Sequence, residues 1–111
     1  MVIPTDDITG TDLLQTLTAL AHPQRLRIVA ALAEGRNYVS QLARDMRMSR
    51  PLLHMHLARL EAAGLVRSEM EVSDDGKAMR YVELAPFSVH VTPEVIAGAV
   101  AQGLDSTQAE E

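Results

Sequence analysis

SRPLLHMHLARLEAAGLV, residues 49–66, is the stretch on which the reading of this chain turns. Ser49 is a good helix N-cap, and Pro51 falls in the first turn, where a missing N–H costs nothing. Leu53, His56, Leu57 and Leu60 recur at helical spacing and share one face. Gly64 suits the left-handed stop of a helix, so a helix is predicted over residues 49–63. Its opposite face reads Pro51, Met55, Ala58 and Ala62, flanked by Leu52, His54 and Arg59.

Working outward, Arg47-Met48 forms a tight break before this helix. A short helix fits Val39 to Met46, with Ser40 as its cap and Leu42, Ala43 and Met46 turned inward. Pro23 opens another helix with Leu26, Ile28, Val29 and Leu32 as its apolar face, closed at Glu34-Gly35. A first helix, capped by Thr11 or Asp12, carries Leu13, Leu14, Leu17, Leu20 and Ala21. After Gly64 the period changes. Leu65 to Val72 reads as a strand, and Ser73 to Lys77 holds an Asp-Gly turn, a strong hairpin signal. Ala78 to Leu84 returns, with Met79, Tyr81 and Glu83 on one face and Arg80, Val82 and Leu84 on the other. Pro86 to Val91 is irregular, and Thr92-Pro93-Glu94 starts a last helix over Val95 to Ala101. Three helices, a recognition-type fourth, a hairpin and a closing helix make a winged helix-turn-helix, mainly α with a small β-hairpin (α+β). Residues 1–10 read as a flexible arm, 11–103 as one domain, and 104–111 as a disordered tail.

The charge supports a nucleic-acid reading only when resolved along the chain. The net charge is −5, from 15 acids and 10 bases. Between Pro23 and Arg67, however, eight arginines face three acids, and the remainder is strongly acidic. The chain has no cysteine and no tryptophan, which excludes disulfides, thiolate metal sites and a stacking platform. No apolar run could span a bilayer, and the acidic N-terminal stretch does not read as a signal peptide. The cytoplasm is the expected compartment, with no membrane partner.

Leu17-Thr-Ala-Leu-Ala-His-Pro-Gln-Arg-Leu-Arg-Ile-Val29 resembles the opening signature of ArsR/SmtB-type transcriptional repressors. Ser49 to Val66, ending His56-Leu57-Ala-Arg-Leu60-Glu-Ala-Ala-Gly64-Leu65-Val66, looks like that family's recognition helix entering the first wing strand. The resemblance covers Leu13 to Leu84. It implies a homodimer that binds double-stranded operator DNA and represses transcription, joined through its first and last helices. On that basis Leu13, Leu14, Leu17, Val95, Ile96 and Val100 are the expected dimer residues. The resemblance also implies a structural role for His56.

The expected DNA-binding residues are Gln41, Arg44 and Arg47, then Ser49, Arg50, Leu52, His54, Met55 and Arg59 on the helix over 49–63. Lys77 and Arg80 join them from the wing, residues 66–84. Arginines supply phosphate contacts, while Leu52 and Met55 can touch thymine methyls. Four wing acids, Glu69, Glu71, Asp74 and Asp75, weigh against a strong wing contribution. The alternative is a protein-interaction module that uses the apolar outer face of the same helix. His22 suits a helix cap. His90 and Glu94 could meet, but His54 and His56 point apart on their helix and cannot share a metal. The Asp-x-His and His-x-x-Glu pairs of metal-sensing relatives are missing, so no metal or cofactor is expected. No Gly-rich phosphate loop, His-Glu-x-x-His or nucleophile elbow points to an enzyme.

Overall fold

In a computed structural model, which describes residues 8–104, the element order is α1 (Gly10–Leu20), α2 (Pro23–Leu32), β1 (Asn37–Tyr38), α3 (Val39–Met46), α4 (Arg50–Ala62), β2 (Val66–Val72), β3 (Ala78–Leu84) and α5 (Pro93–Gln102). The strands form one antiparallel sheet in the order β1-β3-β2. The expected helices and hairpin are all present, and β1 is an addition.

Local chemistry explains most boundaries. His22 lies in extended backbone and its Nδ1 accepts the Gln24 N–H at 3.1 Å, capping α2 as expected. Arg47 takes a left-handed conformation, φ 55°, and this is the tight break between α3 and α4. A non-glycine residue there is uncommon, and the helix-turn-helix geometry requires it. Ser49 caps α4 by accepting the Leu52 N–H at 3.3 Å. Gly64, φ 75°, ends the turn after α4, and Gly76, φ 85°, supplies the positive φ of the hairpin turn.

Other boundaries differ from expectation. Thr9, rather than Thr11 or Asp12, caps α1, accepting the Asp12 N–H at 3.0 Å. Ser40 lies inside α3, whose cap position is Tyr38, without a side-chain cap bond. On α2 the inward position expected for Leu26 belongs to Arg25. Leu26 is 55 % exposed and Arg25 only 8 %.

The chain divides into two compact units. One is Ala19–Ala85, whose core gathers Ile28, Leu32, Leu42, Leu53, Leu57, Leu60, Leu65 and Val82. These come from α2, α3, α4 and the sheet, so the inward face of α4 is fixed by apolar burial. The other unit joins the segments on either side, residues 1–18 and 86–111, of which 8–18 and 86–104 are described. There Ile8, Leu13 and Ala99 form a small core with Val89 packed against it. A Cβ on Gly10 would lie 3.1 Å from Leu104 Cβ, so the start of α1 fits closely against the end of the α5 segment. Ile8 and Gly10, expected in the flexible arm, therefore belong to packed structure, while residues 1–7 and 105–111 lie outside the described residues.

Candidate nucleic-acid interface

α4 presents two faces set by its core. Leu53, His56, Leu57 and Leu60 are buried, and the outward side exposes Met55 (45 %) and Leu52 (41 %). Every expected DNA-binding residue is exposed: Gln41, Arg44, Arg47, Ser49, Arg50, Leu52, His54, Met55, Arg59, Lys77 and Arg80. Ser49 uses a lone pair for its cap, so its O–H is still available as a donor.

The cations sort by whether they are already engaged. Arg25 bonds the Ala19 carbonyl and His56, Arg27 bonds Gln24, Arg36 pairs with Glu71, and Arg67 pairs with Glu83. Arg44 bonds a neutral partner, Gln41 Oε1, at 2.7 Å. Among the described residues, the side chains of Arg47, Arg50, His54, Arg59, Lys77 and Arg80 have no hydrogen-bond or ion-pair partner. The engaged arginines, Arg44 apart, lie outside the helix-turn-helix and the inner face of the hairpin.

The hairpin separates its charges by face. Cross-strand pairing sets Arg67 opposite Glu83, Glu69 opposite Tyr81, and Glu71 opposite Met79. These six share one side of the sheet. Tyr81 donates its hydroxyl to Glu69 at 2.9 Å and Tyr38 donates to Glu71 at 2.8 Å. Those hydrogen bonds are the first cause of the raised pKa of each phenol. Arg36 lies 4.0 Å over the Tyr81 ring and pairs with Glu71. Glu69 and Glu71 are thus held in a tyrosine–arginine network. Met70 pairs with Arg80, and Ser68 with Val82, on the opposite side.

That opposite side faces α4. A cleft of about 490 Å³ runs between them, lined by Val39 and Ser40 of α3, Arg50 and His54 of α4, and Met70, Lys77, Ala78, Met79 and Arg80 of the hairpin. No carboxylate lines it. A second groove of about 240 Å³ continues along α4, with His54, Ala58 and Arg80 again on its wall and Glu61 as its single acid. Arg59 lies half a turn around α4 from Arg50, so it extends the basic surface on the far flank rather than into the cleft.

A model of the bacterial regulatory protein arsR family matches residues 22–68. An HTH-type transcriptional regulator from Methanocaldococcus jannaschii is 31 % identical over 85 residues, which is 77 % of this chain and 88 % of that protein. The biofilm growth-associated repressor of Agrobacterium fabrum is 30 % identical over 83 % of both chains. The chain belongs to the arsR family. It is therefore a DNA-binding transcriptional regulator and not an enzyme. A homodimeric winged helix-turn-helix DNA-binding domain from Mycobacterium bovis superposes with TM-score 0.61 at 25 % identity, covering 89 % of this chain and 79 % of that one. The regulator HlyU from Vibrio cholerae gives 0.59 at 26 %, over 81 % and 86 %. With relatives that are transcriptional regulators, the docking-module alternative is not favoured.

In this ArsR-family chain His56 is the structural histidine the resemblance implied. It is 1 % exposed, accepts from Arg25 at 3.3 Å and lies 4.7 Å from the His22 ring. Burial first, then the proximity of His22, Arg25 and Arg59, pushes its pKa below the ordinary histidine value. His54, two residues away, faces the cleft instead. Among the described residues no group of three or more His, Asp or Glu side chains is arranged to hold a metal ion, and no helix is long and apolar enough to cross a membrane.

The expected dimer residues divide. Leu13 is buried in its own chain's small core and has no surface to offer a partner. Leu14 and Val95 are half-buried, and Leu17, Ile96 and Val100 are exposed. Three interface residues escaped the reading of the sequence. Asn37 and Tyr38 form a two-residue strand, too short to show periodicity, and Asp45 looked like an ordinary solvated acid.

Proposed function

We propose that this protein represses transcription as a cytoplasmic homodimer, with residues 11–103 acting as its DNA-binding and dimerisation domain. α4 enters the major groove, and the hairpin lies along the flanking backbone with its Arg80 side inward. The observation that carries this is the cleft between α4 and the hairpin. Arg50, His54, Lys77 and Arg80 meet there with no carboxylate and no internal partner among the described residues. Unpaired cations lining an open groove suit a phosphate backbone. Arg47 and Arg59 add contacts on either side, and Met55 and Leu52 offer apolar contact to thymine methyls. The named dimer from Mycobacterium bovis supports pairing, and exposed Leu17, Ile96 and Val100 supply an apolar patch for it. Two subunits would read half-sites about 34–36 Å apart.

The test is binding to a duplex that the protein enriches from a random-sequence pool, titrated at several salt concentrations. Arg50→Ala with Arg80→Ala should weaken binding across all sequences and flatten the log–log salt slope by about 2, near 0.9 per lost phosphate contact. An unchanged slope would refute this placement of the cleft on DNA.

A further inference from the structure

The third helix carries a polar chain whose direction is fixed from both ends. Asp45 can only accept hydrogen bonds and Arg44 can only donate them. Gln41 lies between them on the same face, one turn back. It donates from Nε2 to Asp45 Oδ1 at 2.7 Å and accepts from Arg44 Nη2 on Oε1 at 2.7 Å. The opposite amide orientation would set donor against donor and acceptor against acceptor. The second Asp45 oxygen, Oδ2, accepts from Asn37 Nδ2 at 3.3 Å. Asn37 is itself held, because its Oδ1 accepts the Tyr38 N–H at 2.8 Å and its backbone pairs with Val82 of β3. The chain therefore runs from the sheet through Asn37, Asp45 and Gln41 to the Arg44 guanidinium.

We propose that Asp45 is a positioning residue for DNA binding, holding Gln41 and Arg44 in the orientation in which they meet the DNA backbone. The proposal rests on the reading of α3 and α4 as the DNA face. An acid on a face that meets polyanionic DNA costs affinity by repulsion, so Asp45 needs a use that outweighs that cost. Its use is entropic. Free glutamine and arginine side chains each lose rotamer freedom on binding. A chain anchored on a β-strand makes that loss before DNA arrives. Only Arg44 Nη2 is committed to Gln41, so other guanidinium N–H groups remain for a phosphate.

The two readings of Asp45 predict opposite signs, which makes the test sharp. Dimeric protein carrying Asp45→Ala, Asn37→Ala, Gln41→Ala, Arg44→Ala or Gln41→Ala with Asp45→Ala is titrated against the duplex enriched by the wild type. If Asp45 is merely a solvated acid, Asp45→Ala tightens binding. If it positions, Asp45→Ala weakens binding about threefold or more, Asn37→Ala acts in the same direction, and Asp45→Ala has no further effect once Gln41 is alanine. Urea melts of each variant check that the fold is retained, and Asn37→Ala provides a second probe that leaves the charge unchanged. Equal or tighter binding by Asp45→Ala, with Arg44→Ala weakened, overturns the positioning role alone. No loss in Arg44→Ala overturns the placement of α3 on DNA, and the proposal with it.

Discussion

Replacing Arg25 with methionine should destabilise the protein far more than removing any of its surface arginines. Arg25 is 8 % exposed, and its Nε donates to the Ala19 carbonyl at 2.7 Å while Nη1 donates to His56 Nδ1 at 3.3 Å. Methionine fills much of the same volume without a donor. Two buried acceptors then lose their partner, at about 1–3 kcal/mol each. Relief from burying a cation offsets part of this, and the net cost is about 2–4 kcal/mol. With a urea m-value of about 1–3 kcal/mol/M, the midpoint should fall by about 1–2 M. The assay is equilibrium urea unfolding followed by far-UV circular dichroism at pH 7.5. Arg25→Met with His56→Phe should recover part of the loss, since one of the orphaned acceptors is gone. A midpoint shift below about 0.3 M, or a double variant weaker than the sum of the singles, would refute the account of Arg25 as a buried clasp between His56 and the Ala19 carbonyl.

The same cluster predicts a pH dependence. The folded pKa of His56 is depressed, so the unfolded chain binds its proton more readily. The associated stability is fully present above about pH 6.5 and is lost as pH falls below it. His56→Gln keeps an acceptor for Arg25 without titrating and should flatten the decline in urea midpoint between pH 7.5 and 5.5. Val100→Glu places a charge on an exposed apolar position of α5. It should shift light scattering at micromolar concentration from dimer toward monomer without lowering helix content, and a dimer that persists would move the interface elsewhere. Glu69→Gln with Glu71→Gln alters the side of the sheet turned away from α4. DNA affinity should change less than twofold at about 0.15 M salt, where charges beyond roughly 8 Å are screened. A large gain would place those acids beside the duplex.

Much of the fold was legible because it is written in local chemistry. A cap, a first-turn proline and a left-handed stop each act within a few residues, so α2, α4 and the hairpin could be placed from His22, Pro23, Ser49, Gly64 and Gly76. The period-2 alternation of the hairpin also showed which residues share a side. What alternation could not show is which side meets α4. That depends on Val66 and Val82 being buried in the core shared with Leu57 and Leu60, and it decides whether the wing offers Arg80 or Glu69 to the cleft. Composition counted the wing as acidic, and packing turned most of those acids away.

Residue sequence by itself determined the element order, the exposed arginines and the absence of cysteine chemistry. Tertiary structure decided the rest. Arg25 is buried in preference to Leu26 because the Ala19 carbonyl and His56 Nδ1 satisfy its donors there, whereas a cation without partners could not be. β1 exists because β3 offers Asn37 and Tyr38 an edge to pair with, and two residues have no strand propensity large enough to be seen alone. Asp45 became part of a polar chain only when that strand brought Asn37 beside α3. In each case the deciding partner lies far along the chain, and long-range pairing of this kind leaves no periodic trace in sequence.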